Sequence, residues 1–495
     1  MTEEARRGAP GPAAAGPTIA LADRARRLAA GFSDVDQVFR AFAARIHAPG
    51  LAYGVVVDGA LAHVGAVGAA DVGAARAATP RTIFRIASMT KSVTALCCLA
   101  LRDQGRLALD DPVAEHLPEV SGVRPPTSDS PAITIRHLLT MSAGLVTDDP
   151  WGDRQLAMPA DDFGAFLAGE VPSNRPPGIA YEYSNLGYAL LGRLVGRVAG
   201  MPFSAFASEI VLGPLGMTDS FFEVTEVPAQ RRAQGYRWED DGWRPEAPLG
   251  DGAFGPMGGL WTSIEDFARY VGFHLDAWPA RDDAETGPVR RSTVREMQQG
   301  QRLCWPRGEG MPALPAAYGF GLVSTLHPRD GLTVAHSGGL PGFGSRVQWL
   351  PHHGVGVMGF ANLTYAPVHE AVDQALDALA ATGGLQPRPE PPSAALRLAQ
   401  AWTQRLYRRW DDADALALAA PNLFADRSLE RRRQEMAVLR ADLGEVLEME
   451  APIPAGALRG CWRMRCARGT ARVTVSLAPT ARPLVQLLTV VPEPV

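Results

Sequence analysis

Lysine is almost missing from this chain: of its 48 basic residues, all but Lys91 are arginine. Guanidinium stays protonated, so among these 48 residues Lys91 is the single side chain that can shed its proton and act as a base near neutral pH. Cysteine is scarce as well, at five in 495 residues, and Cys97 and Cys98 are adjacent. The odd count and the adjacent pair argue against a disulfide framework; Cys461 and Cys466 also read as free thiols. No Cys/His spacing suits zinc, and neither a metal nor a cofactor is expected. No stretch approaches the ~18 uncharged apolar residues of a membrane-spanning helix. A net charge of −5 without a basic stripe argues against nucleic acid. The run Glu430-Arg-Arg-Arg433 reads as a solvated helix face. Cytoplasm is the expected compartment.

What is present describes an ordinary globular protein, 46% apolar and 20% charged, long enough for two or three domains. Residues 1–19 read as a disordered tail without the apolar core of a secretory signal. Residues 20–47 carry a helical pattern, and Leu51–Gly65 reads as a hairpin turning at Asp58-Gly59. Val93, Leu96, Cys97, Ala100 and Leu101 form a helical stripe that starts at Ser88 and ends at Gly105. Short helices and Pro/Gly loops follow to about residue 310, with a capping box at Thr262-Ser-Ile-Glu265. Strands return at Tyr318–Thr325, Leu332–His336, Ser345–Leu350 and Val355–Ala361, before a helix at Val368–Ala381. Strands at both ends of 20–382 with helices between predict an α+β domain: an antiparallel sheet flanked by helices and carrying a helical insertion. Residues 383–393 are a linker by composition. Residues 394–495 read as a small α+β domain, helices first and then strands turning at Arg468-Gly469 and Pro479–Arg482.

Three short motifs carry the chemistry. Ser88-x-x-Lys91 puts a hydroxyl and a deprotonatable amine one helical turn apart, as a nucleophile and base need. With 20 serines in the chain, this spacing has a chance of about 4%. Tyr183-Ser-Asn185 is rarer: with nine tyrosines and four asparagines, Tyr-x-Asn is expected about 0.07 times. His-x-Gly occurs three times, at His63, His336 and His352. Only His336-Ser-Gly338-Gly339 combines the right order, a leading strand and a second glycine. Asp148–Arg154 is rich in turn formers and either lines a cleft or forms a surface loop. Tyr181, alternating with Tyr183, reads as a packing residue.

Order and residue types together resemble the serine β-lactamase/penicillin-binding-protein superfamily. Within it they look most like the class C-like branch that holds D-aminopeptidases and carboxylesterases (peptidase family S12). The resemblance covers residues 20–382 and includes Pro256-Met-Gly-Gly-Leu-Trp. It implies a covalent acyl-enzyme on Ser88, with Lys91 taking or relaying the proton and Tyr183 protonating the leaving group. It further implies that Asn185 holds the Lys91 amine and substrate, and that the backbone N–H groups of Ser88 and Gly339 form the oxyanion hole. His336, Gly338 and Gly339 would line the substrate. β-Lactamases carry a lysine where His336 stands, so small esters and D-amino-acid amides rank above antibiotics as small-molecule acyl substrates. The alternative is a sensor that keeps the scaffold to bind β-lactams or peptides without turnover. The C-terminal domain resembles NTF2-like modules, which implies a role over the cleft, in a homo-oligomer or in ligand binding.

Overall fold

The computed structural model describes residues 21–304 and 314–493, and the tail expected at 1–19 lies outside them. The chain divides into two units, one running to Pro387 and a smaller one from Arg388. Among the described residues the larger unit holds a nine-stranded antiparallel sheet. Its order is Arg76–Ala77, Ala60–Asp71, Gly50–Val57, Val355–Ala361, Phe343–Leu350, Gly331–Leu340, Val323–His327, Ala316–Tyr318 and Arg302–Cys304. The first hairpin turns at Asp58-Gly59, where φ is 48° and 87°, the left-handed pair that a two-residue hairpin turn requires. Leu51 pairs with Ala361 and Val57 with Val355, which brings the two ends of the unit together at the sheet centre.

Every residue of Val355–Ala361 is buried. Both faces of this strand are covered, which is why it reads as a continuous apolar run. Helices Phe32–Arg45 and His369–Ala381 bury one face around Val35, Phe39, Val372 and Leu376. Ile264–Asp276 packs on the other face, in the core cluster that also contains the helix Thr90–Asp103. That helix is buried from Thr90 to Leu101. Short side chains at Thr94, Ala95, Cys97 and Cys98 let neighbours close in, and the Thr94 hydroxyl donates to the Pro256 carbonyl at 2.6 Å.

Some local expectations shift. The run Tyr318–Thr325 is two strands, not one. Gly321 breaks it with a φ of 72°, and a Cβ there would lie 2.7 Å from the Lys91 carbonyl oxygen. The break lets the sheet turn against the Lys91 helix. Helix Ile264–Asp276 is capped by Ser263, whose Oγ accepts from the Asp266 N–H, one residue later than the expected box. The strand ending at His336 instead runs over Gly331–Leu340 and takes in the whole third motif.

The smaller unit places helices Ala394–Arg408, Asp412–Leu418, Pro421–Ala425 and Leu429–Leu443 before a five-stranded antiparallel sheet. Trp402, Trp462 and Tyr407 are in its core. Cys461 and Cys466 lie on one strand, Arg459–Cys466, and all five cysteines are free. Among the described residues no single helix is long and apolar enough to cross a membrane.

Candidate active site

Ser88 sits in a single 3-10 turn, Ala87–Met89, just ahead of the helix that starts at Thr90. Ala87 holds a left-handed φ of 51° while fully buried, a strained conformation for a residue with a Cβ. Surrounding bonds hold it there. The Thr90 hydroxyl donates to the Ala87 carbonyl at 2.7 Å, and the Ser345 hydroxyl to the Ile86 carbonyl at 2.7 Å. The strand Gly331–Leu340 packs directly on this turn. A Cβ at Gly338 would stand 2.2 Å from the Ile86 carbonyl oxygen, so only glycine fits. Gly339 likewise leaves room for the Tyr365 ring, which a Cβ would meet at 2.8 Å. Pairing with the neighbouring strand stops at Val323–Ala335, which leaves the His336–Leu340 edge open toward Ser88.

Lys91 is fully buried and its Nζ makes three short contacts: Ser88 Oγ at 3.0 Å, Asn185 Oδ1 at 2.7 Å and the Met257 carbonyl at 2.9 Å. The orientation of the Asn185 amide follows from its other side. Its Nδ2 faces Asp149 Oδ1 at 2.6 Å and Asp153 Oδ1 at 3.4 Å. Carboxylates only accept, so Nδ2 must donate to them and Oδ1 must face Lys91. Asn185 Oδ1 and the Met257 carbonyl are also pure acceptors. Once Lys91 is neutral, they engage its two N–H groups and its lone pair is left for Ser88. Burial lowers the Lys91 pKa to about 8, against the opposing charges of Asp149, Asp153 and Asp148. About a tenth of it is therefore amine at pH 7.

The turn-rich loop Asp148–Arg154 thus belongs to the site rather than to a plain surface. Asp148 accepts from the N–H groups of Asn185 (2.6 Å) and Leu186 (2.8 Å), capping the helix Asn185–Ala199 that carries the second motif. Asp153 accepts from the Tyr365 hydroxyl at 2.9 Å. Burial, with Asp149 alongside, raises its carboxyl to about 6.

Tyr183 presents its ring to Lys91, with Nζ 4.9 Å from the centroid. Burial and the Asp149 charge push its phenol well above the ordinary value, while a hydrogen bond with Ser88 pulls the other way. The Lys91 Nζ lies over the ring face, and Tyr183 is held neutral. Tyr181 packs near Tyr318, with ring centroids 5.6 Å apart, and also lines the cleft.

His336 is neutral. Burial, with the Lys91 charge nearby, lowers its pKa to about 3. The Ser337 carbonyl, 2.6 Å from Nδ1, can only accept, so Nδ1 carries the hydrogen. Nε2 is then free to accept from the Tyr318 hydroxyl at 3.2 Å. These residues line a cavity of about 550 Å³ together with Ser88, Asp149, Asp153, Ser337, Gly338 and Gly339.

Among the cavity residues that sequence motifs do not single out, Arg346 is a cation beside the third motif. Arg346 lies directly across from Ser337 in the sheet and donates to its hydroxyl at 3.0 Å. Its Nη2 donates to Gln348 at 2.6 Å, its Nε is buried without a partner, and among the described residues it forms no ion pair. Only strand register could have revealed it, because Arg346 is ten positions from His336 in sequence but opposite its neighbour in space. The Met257 carbonyl was equally out of reach, since a backbone acceptor leaves no side-chain signal.

Comparison with known proteins identifies the family and the fold. Residues 35–382 match the beta-lactamase family. Protein flp of Staphylococcus aureus (strain NCTC 8325 / PS 47) is 28% identical over 333 residues, covering 66% of this chain and 62% of that protein. Uncharacterized protein MT1414 of Mycobacterium tuberculosis (strain CDC 1551 / Oshkosh) is 33% identical over 235 residues, 43% of this chain and 58% of its own length. This chain therefore spans less than two thirds of the length of these relatives. The octameric penicillin-binding protein homologue from Pyrococcus abyssi shares the fold, with a TM-score of 0.62 at 20% identity over 93% of this chain and 98% of the other. With a family match over residues 35–382 and a shared penicillin-binding-protein fold, the chain belongs to the beta-lactamase family, within the serine β-lactamase/penicillin-binding-protein superfamily.

Proposed function

We propose that the chain is a serine acyl hydrolase working through a covalent acyl-enzyme on Ser88. The Lys91 amine accepts the Ser88 proton as Oγ attacks an acyl carbonyl. The backbone N–H groups of Ser88 and Gly339 receive the developing oxyanion. Tyr183, as a neutral phenol, gives its proton to the leaving group, and the proton that Lys91 took from Ser88 restores the phenol, leaving Lys91 neutral in the acyl-enzyme. Water then attacks the ester and the same groups run in reverse. The observation that carries this reading is the Lys91 Nζ, 3.0 Å from Ser88 Oγ, with its other two contacts to groups that can only accept.

Small esters and D-amino-acid amides or peptides remain the preferred substrates, because neutral His336 offers no charge to a carboxylate. A second reading rests on Arg346, an unpaired guanidinium in the same cavity, which suits acyl donors bearing a carboxylate, β-lactams included. Homo-oligomer formation through residues 394–495 is a further proposal, consistent with the octameric homologue, and mass in solution tests it. The sensor alternative differs in turnover. Steady hydrolysis of p-nitrophenyl acetate that disappears in Ser88→Ala and on fluorophosphonate treatment supports the enzyme. One stoichiometric burst without turnover supports the sensor instead.

A further inference from the structure

The arginine run of the smaller unit does not behave as one solvated face. On the helix Leu429–Leu443, Arg431 pairs with Glu435 at 3.2 Å, and Arg433 with Asp412 at 3.4 Å and with Glu430. Arg432 takes another course. Its Nε donates to the Leu423 carbonyl at 3.0 Å and its Nη1 to the Leu488 carbonyl at 3.2 Å. It forms no ion pair among the described residues, and burial together with the like charge of Arg427 holds its guanidinium below the usual range. Asp426 and Glu435 pull the other way, but Glu435 is already bonded to Arg427 at 3.1 Å and to Arg431 at 3.2 Å.

Arg432 stands in the wall of a cavity of about 200 Å³ that shares no residue with the cleft at Ser88; its other walls are mainly apolar, Trp402, Phe424, Met436 and Leu488 among them, with Arg427 and Glu435, paired to each other, as the remaining charges. The volume is below the ~300 Å³ at which drug-sized pockets begin, so it holds one ring or a short chain. Apolar walls favour an apolar body. A half-buried guanidinium that forms no ion pair among the described residues, with three of its five N–H donors uncommitted, favours an anion of carboxylate geometry.

We propose that this cavity binds a small monocarboxylate with an aromatic or short alkyl body, its carboxylate on Arg432 and its body against Trp402, Phe424 and Leu488. The site is independent of the acyl-hydrolase reading. Calorimetric titration of the full chain with 3-phenylpropanoate, and with the isosteric 3-phenylpropan-1-ol, tests it. The expected result is saturable one-to-one binding of the acid, at least about tenfold tighter than the alcohol. Arg432→Gln should remove that preference, Arg432→Lys should keep part of it, and Leu488→Trp should abolish binding of both by filling the cavity. All three should leave p-nitrophenyl acetate turnover unchanged. Should Arg432→Gln fail to fold, the lysine and tryptophan variants carry the test. Equal affinity for acid and alcohol, or no saturable binding, would overturn the proposal. So would acid binding that survives both Arg432→Gln and Leu488→Trp, or that is lost only in Arg346→Gln.

Discussion

The Nζ of Lys91 stands 3.0 Å from the Oγ of Ser88, and its two other hydrogen-bonded oxygens, Asn185 Oδ1 and the Met257 carbonyl, can only accept. A neutral amine in that setting has one place for its lone pair, so Lys91→Arg keeps a cation there and loses the base. Acylation by p-nitrophenyl acetate should fall by about 10²–10⁴-fold, measured as single-turnover rate, with the fold retained by circular dichroism.

The wild-type rate should rise with pH through a limb near 8, the value to which burial brings Lys91. The negative charge of Asp149 stabilises the ammonium, so Asp149→Asn should move this limb to lower pH. Asparagine still offers an oxygen to the Asn185 amide, which keeps the orientation intact. A pH–rate profile of kcat/KM for both proteins checks this; a limb that moves upward would contradict the charge assignment.

Asp153 makes the opposite kind of contribution, to stability. Its carboxyl is raised from 3.8 to about 6 in the folded chain, so the folded state binds the proton more tightly than the unfolded one. Stabilisation from this group is complete below pH 3.8 and is lost as pH rises through about 6. Two units correspond to about 3 kcal/mol at most, and weakening the bond from Tyr365 takes back about 1. Asp153→Asn should therefore be more stable than wild type by about 1–2 kcal/mol at pH 8 and no more stable at pH 4, by urea unfolding.

Arg346 divides substrates by charge. If carboxylated acyl donors are used, Arg346→Gln should raise their KM by roughly 10–100-fold with little change in kcat, the range of a lost charge-assisted hydrogen bond. Neutral esters should be unaffected. Steady-state kinetics on a matched pair of esters, one carboxylated and one not, provides the comparison.

Much of this site could be read from the sequence because its key side chains sit at short spacings that chance rarely produces. Ser88 and Lys91 share one turn, and Tyr183 and Asn185 open one helix. The sheet was legible from short apolar runs bounded by turn residues, with Val355–Ala361 falling where expected. What stayed hidden depends on long-range register. Arg346 faces the cleft only because its strand pairs Arg346 with Ser337, and Asp149 matters only because the loop returns its carboxylate to Asn185. Gly338 looked like a substrate contact and is also a packing requirement against Ile86. Gly338→Ala should push the motif strand off the Ser88 turn and lower both thermal stability and turnover.

The most direct measurement is intact mass after brief exposure to a panel of esters, D-alanyl amides and a penicillin, with peptide mapping of any adduct. The expected result is a single acyl group on Ser88 in the wild type, absent in Ser88→Ala and formed far more slowly in Lys91→Arg. An adduct on another residue, or acylation of Lys91→Arg at the wild-type rate, would contradict the pairing of Ser88 with Lys91.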